Sequence, residues 1–259
     1  MSTDMKSVIL YHRSYRKIAV SAKPFVLQLV CIALPLSLIV VFFYPEITRT
    51  VCRIAVQVLS PYFDKDSLRI VSYPYIIGNG HYLALPGKFP SAVFSLVNAI
   101  FSLLMLLLLP NINRLKPLLI LGTVLSFILF ISAMFFLLVP DQFPYQASDY
   151  SDLYIKQQIS IWFFVPVIMG LGVLPLPASL PSKIFTMLIS FVYSLIFGTV
   201  RYVVFLYIIG KISLIYMAVL FFALGPLVDF VYIVGIYSCY TTRLAKKIKG
   251  NFTLWKWSY

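Results

Sequence analysis

Six stretches of the chain run for 18 residues or more with hardly a charge: 24–44, 91–109, 117–139, 159–176, 183–210 and 212–238. A hydrocarbon core about 30 Å thick is crossed by roughly 20 apolar residues of helix. Each stretch is therefore predicted as a transmembrane helix, the last two read as single tilted helices in preference to three short ones. The polar residues between them are unevenly placed. Threaded six times, the chain keeps Lys6, Arg13, Arg16, Lys17, Lys23, Arg114, Lys116, Lys183, Arg243, Lys246, Lys247, Lys249 and Lys256 on one side. Glu46, Asp64, Asp66, Asp141, Asp149 and Asp152 fall on the other. The positive-inside bias makes the basic side cytoplasmic. Seven crossings would place the tail "TTRLAKKIKG" outside, against that bias.

The expected fold class is an all-α polytopic membrane protein with six transmembrane helices and both termini cytoplasmic. Its expected parts are a basic segment 1–23, a membrane domain 24–241 with outside loops 45–90 and 140–158, and a basic and aromatic tail 242–259. The first apolar stretch follows a basic segment, as in a signal peptide, but "YPEITRT" offers no small-x-small cleavage site, and the stretch is read as a retained span.

Composition strengthens this picture. With 61% hydrophobic residues, 11% charge and a mean hydropathy of +0.94, the 259-residue chain is too apolar for a soluble domain. Its net charge of +13 lies in short segments flanking apolar runs, which speaks for the lipid bilayer as the partner and against nucleic acid. Cys31, Cys52 and Cys239 are far apart and show no metal spacing, and only Cys52 is expected in a soluble loop. No cofactor or metal motif is present.

The first outside loop holds most of the local detail. In "EITRTVCRIAVQVLSPYF", Ile47, Val51, Ile54, Ala55 and Val58 recur at helical spacing, with Arg49 and Arg53 on another face. This predicts a small amphipathic helix in the interface plane, its arginines at the headgroups; the alternative is a continuation of the first span. Further on, "SLRIVSYPYIIGNGHYLALPG" alternates, and its "GNG" suits a turn, so a β-hairpin is expected, with Pro74 and Pro86 at strand edges or ends. His81 follows that turn. Paired with Cys52 it would make a thiol nucleophile and base, although neither an oxyanion motif nor a glycine elbow accompanies them. The ordinary reading is a surface histidine and an unpaired thiol.

In the second outside loop, "VPDQFPYQASDYSDLYIKQQ", Asp149 and Asp152 are three apart, too sparse for a calcium loop. A solvated loop with an interfacial fringe of Tyr145, Tyr150 and Tyr154 is expected. Beyond it, "MGLGVLPLPASLP" suits a rigid inside turn. Trp255 and Trp257 around Lys256 suit the cytoplasmic interface, where the Asn251 sequon would escape glycosylation.

Two charges stand inside apolar runs, Arg201 and Asp229. Two straight helices joined near Lys211 would set Arg201 about 15 Å and Asp229 about 27 Å below the turn, too far apart for contact. Either Arg201 snorkels outward and Asp229 reaches water at the other boundary, or a break at Gly225 and Pro226 repositions Asp229. Anchors, a structural polar contact and a substrate or proton path all remain open. Gly198, Gly210, Gly225 and Gly235 would allow close helix approach, without a GxxxG motif.

One span, an outside amphipathic segment, the stretch "IVSYPYIIGNGHYLALPG" and a span opening near proline resemble the small polytopic proteins that accompany exosortases. The likeness covers about residues 24–135. It implies an accessory role in bacterial envelope protein sorting or surface-polymer production, at the inner membrane, with a membrane-protein partner. Exosortases themselves use a Cys, an Arg and a His. Here Cys52-Arg53-Ile54 replaces their Cys-Ser-Gly context, and Arg201 is only generically similar to their intramembrane arginine. The expectation is a non-enzymatic scaffold presenting loop 45–90. The alternatives are a membrane-embedded enzyme using Cys52, His81 and Arg201, or a small transporter using Arg201 and Asp229, the latter disfavoured by the lack of an inverted repeat.

Overall fold

The computed structural model describes residues 16–18, 22–111, 116–248 and 255–257. The residues Lys6, Arg13, Arg114, Lys249 and Asn251 named above lie outside them. Helix dominates. α1 (Lys23–Leu59) contains a π-helical turn, Leu29–Ala33. It is followed by α2 (Ala92–Leu108), α3 (Lys116–Leu138) and α4 (Ala147–Val173). α5 (Leu180–Tyr207) runs on as a π-helix to Ile212, and α6 (Gly225–Ile248) is preceded by a π-helix, Val219–Leu224. Five helices are long and apolar enough to cross a membrane, while α2 is a shorter apolar helix. Leucines, valines and phenylalanines stand outward along them, among them Val93, Leu107, Phe185 and Phe222 at 61–72% exposure. Water would penalise such a surface, and lipid does not.

The chain divides into two compact units. One comprises residues 40–162 and 194–231. Here strands β2 (Arg69–Tyr75) and β3 (Gly78–Ala84) form the expected hairpin, with Ser72 opposite His81. Its turn differs from expectation. Ile76 and Ile77 make it, and Gly78-Asn79-Gly80 belongs to β3. Gly80 is kept for packing: a Cβ there would meet the Tyr73 ring at 2.5 Å. Ile76 pays with a positive φ of 22°, rare for a β-branched residue.

The separate interfacial helix is corrected. Residues 45–59 continue α1, because Pro45 alone interrupts the pattern and removes a single N–H donor. The buried stripe is Tyr44, Thr48, Val51, Cys52, Ala55 and Leu59, whereas Ile54 and Val58 are exposed. The stripe is rotated because the hairpin docks on Tyr44 and Thr48. Cys52, expected in a soluble loop, is accordingly a fully buried residue of α1. Arg49 and Arg53 are exposed on its far side.

The loop 140–158 is also corrected. α4 begins at Ala147, where the Asp149 carboxylate accepts the Gln146 N–H at 2.7 Å and stands in for a missing helical carbonyl. Tyr150 and Tyr154 are thereby buried, and only Tyr145 of the predicted fringe is exposed. Asp152 pairs with Lys156, four residues on, at 2.6 Å. α2 buries a small polar face, Ser95, Asn98, Ala99 and Ser102, and Asn98 accepts the Tyr216 hydroxyl at 2.9 Å.

The second unit comprises residues 1–39, 163–193 and 232–259. Gly170 lets Ala33 approach, a Cβ there falling 3.0 Å from Ala33 Cβ. The turn between α4 and α5 is held where Lys183 Nζ donates to the Leu174 carbonyl at 2.6 Å, closing the C-terminus of α4. Strand β1 (Arg16–Ile18) pairs antiparallel with β4 (Trp255–Trp257), setting Trp257 opposite Arg16 and Trp255 opposite Ile18.

Candidate functional site

Two arrangements in the unit of residues 40–162 and 194–231 collect the candidate residues. The first is an ion pair. Arg201 Nη2 lies 2.7 Å from Asp229 Oδ2, with both side chains almost wholly buried. The depth mismatch anticipated from straight helices does not arise, because the connection centres on Ser213–Tyr216. Ser213 is extended and Leu214–Tyr216 is a 3₁₀ turn. Arg201 thus precedes Ile212 by 11 residues and Asp229 follows Met217 by 12, which levels the two. Of the two accommodations foreseen, snorkelling gives way to the break before Pro226. Pro226 has no N–H to continue an α-helix, and the preceding residues take the wider π-helical form up to Gly225.

The guanidinium is almost fully engaged. Arg201 Nε donates to Tyr154 Oη at 2.8 Å, Nη1 to the Gly225 carbonyl at 2.7 Å, and Nη2 to Asp229 and, at 3.3 Å, to Gln158 Oε1. The Tyr154 hydroxyl in turn donates to the Gly198 carbonyl at 3.0 Å. Gly198 makes this possible, since a Cβ there would stand 2.9 Å from Gln158 Oε1. The Tyr154 ring lies 5.5 Å from Arg201 Cζ and stacks on Tyr202 with centroids 5.3 Å apart. A buried cation is tolerable only when its charge and its donors are both met, and here they are.

The second arrangement pins the hairpin. Tyr44 Oη donates to the Tyr75 carbonyl and accepts the Gly78 N–H at 2.7 Å. Thr48 Oγ1 accepts the His81 N–H at 3.2 Å, and Tyr202 Oη accepts that of Leu83 at 2.9 Å. Ser151 Oγ lies 2.6 Å from the same Tyr202 oxygen. His81 and Leu83 alternate, so helix hydroxyls cap the outer edge of β3. By register, the partners of those residues, Ser72 and Ile70, turn their N–H and C=O groups away from β3. Among the described residues, none of these four groups makes a hydrogen bond. Val71, Tyr73 and Tyr75 are half-buried while Ile70, Ser72 and Pro74 are exposed. Burial and the Asp152 carboxylate hold the Tyr73 phenol above its ordinary range.

The other candidates are distributed as follows. The Cys52 thiol neighbours the Tyr202 hydroxyl, and no hydrogen bond joins it to His81 among the described residues. His81 reaches the site through its backbone, and its Nδ1 is buried without a partner there. Trp255 and Trp257 stand on β4. Sequence reasoning missed Tyr44, Thr48, Gln158 and Tyr202, and took Tyr154 for an interfacial residue. Tyr150, Tyr154 and Gln158 recur every four residues, a spacing that would have marked one helix face had α4 been started early enough. Comparison with known proteins finds no matching family model, no matching curated protein and no matching solved structure.

Proposed function

We propose that this chain is a non-enzymatic membrane scaffold that holds a rigid β-hairpin outside the bilayer and offers its open edge to an extended segment of a membrane-associated partner. One observation carries this reading: the hairpin is asymmetric. Hydroxyls of Thr48 and Tyr202 occupy one edge and that of Tyr44 ties the turn, while Ile70 and Ser72 leave the other edge with unused donors and acceptors. An added strand is the partner such an edge accepts, main-chain bonds giving affinity and exposed neighbours giving selectivity. Ile76 and Ile77, at 66% and 65% exposure, extend that surface with an apolar tip.

In our reading the chain crosses the bacterial cytoplasmic membrane six times with both termini inside. The pairing of β1 with β4 supports an even number of crossings, since hydrogen-bonded ends share one side. Five long apolar helices and the shorter α2 supply six. The sidedness rests on the basic segments. An envelope-sorting or surface-polymer setting rests on the exosortase-associated likeness alone. The enzyme reading loses ground because Cys52 is fully buried. The transporter reading loses ground because Arg201 is held by four acceptors.

The test places a photoreactive residue at Ile70 in native membranes. The expected result is an adduct of defined mass that survives Ser72→Ala and disappears in Ser72→Pro, which deletes the outward N–H without touching the β2–β3 ladder. No adduct, or one indifferent to proline in a hairpin that stays protease-resistant, refutes edge pairing.

A further inference from the structure

A cleft of about 1030 Å³ opens in the unit of residues 1–39, 163–193 and 232–259, far in sequence from the hairpin and unused by the function above. Its lining changes character along its length. One part is apolar, with Phe185 and Ile189 of α5 facing Tyr232 and Ile236 of α6. The other is cationic, with Arg243, Lys246 and Lys247. Ile236, Cys239, Arg243 and Lys247 recur at spacings of three and four, so a single face of α6 passes from apolar to basic. Basic residues at a helix C-terminus serve its dipole anywhere around the axis. Here they are in register with the apolar wall.

The opposite wall adds to the positive end. α5 begins at Leu180 with no acidic residue in its first turn, and Ser179 and Ser182 line the cleft there. The amide groups of that turn and the hydroxyls suit a phosphate oxygen. Tyr240, also in the lining, has its hydroxyl buried without a hydrogen-bond partner among the described residues. Midway, Gly235 faces open space, and a Cβ built on it meets nothing within 4 Å.

We propose that this cleft binds an anionic phospholipid, its phosphate held by Arg243, Lys246, Lys247 and the first turn of α5, and one acyl chain lying along Phe185, Ile189 and Ile236 over Gly235. Charge complementarity selects the head group, and the apolar continuation distinguishes a lipid from a free anion. Gly235 keeps the chain's path clear.

The full chain, purified in a neutral detergent, is titrated with phosphatidylglycerol, phosphatidylcholine and inorganic phosphate while its thermal unfolding is followed. The expected result is stabilisation by phosphatidylglycerol alone. The double substitution Arg243→Gln/Lys247→Gln should weaken that binding about tenfold or more. Gly235→Leu should fill the acyl path and abolish it with unfolding otherwise unchanged. Equal response to both lipids, stabilisation by inorganic phosphate alone, or wild-type affinity in the charge variant overturns the proposal. The charged residues are exposed, so that variant decides the matter even where Gly235→Leu fails to fold.

Discussion

Tyr73 shows how much a single polar group depends on what covers it. Its hydroxyl is buried without a hydrogen-bond partner among the described residues, with Asp152 nearby and Lys156 Nζ 4.7 Å from the ring centroid. Burial, seconded by the carboxylate, favours the neutral phenol, so the folded pKa lies above the unfolded value of about 10. The hairpin's hold is thus complete below about pH 10 and declines as pH rises toward the folded value. Limited proteolysis of segment 69–84 by an alkaline protease should hold steady up to about pH 10 and accelerate above it in the wild type. Tyr73→Phe should accelerate less, while at neutral pH it leaves the hairpin at least as resistant, because an unbonded hydroxyl is lost. Equal acceleration in both proteins would show that the phenol is not the titrating group. Arg201 teaches the complementary lesson, since its burial is offset by Asp229, Gln158, Tyr154 and a backbone carbonyl.

At the scale of elements, the hairpin is the part that most needs help, because two strands alone are marginal in water. Its support comes from three hydroxyls on α1 and α5, each bond contributing about 1 kcal/mol net. Tyr44→Phe combined with Thr48→Val should leave the helices intact and raise backbone hydrogen exchange at Gly78 and His81 by one to two orders of magnitude; unchanged exchange would mean the strands stand by themselves. The hairpin was legible in the sequence as alternation around a glycine-rich turn. The turn itself was misplaced, because Gly80 signals a small residue under Tyr73 and not chain reversal, while Ile76 adopts the positive φ that glycine would have predicted. The helices were legible wherever apolar runs were long. Their ends were not: α1 and α4 continue through polar sequence because the hairpin and the tyrosine stack bury one face of each, and burial of that kind leaves no local trace. The ion pair stayed hidden for a related reason, since residue counting assumes straight helices and the stretch 208–224 is π-helical, extended and 3₁₀ in turn.

At the scale of the whole chain, five helices are long and apolar enough to cross a membrane, with the shorter apolar α2 beside them in sequence. The proposed six crossings make a definite prediction: reporters fused before Met1 and after Tyr259 should both be active only in the cytoplasm, and one inserted between Asp64 and Asp66 only outside. Opposite sides for the two ends would contradict the β1–β4 pairing and the even count together.

We infer that the polar residues inside the helices hold this fold in place and do not act on a substrate. It is tested most directly by thermal unfolding of Arg201→Met, Asp229→Leu and the double variant. Each single change strands a buried charge and should cost about 3–5 kcal/mol, whereas the double change removes both charges and should return close to wild-type stability with the Ile70 adduct intact. A double variant as unstable as the two single changes added together, or one that is fully stable yet loses the adduct, would contradict it.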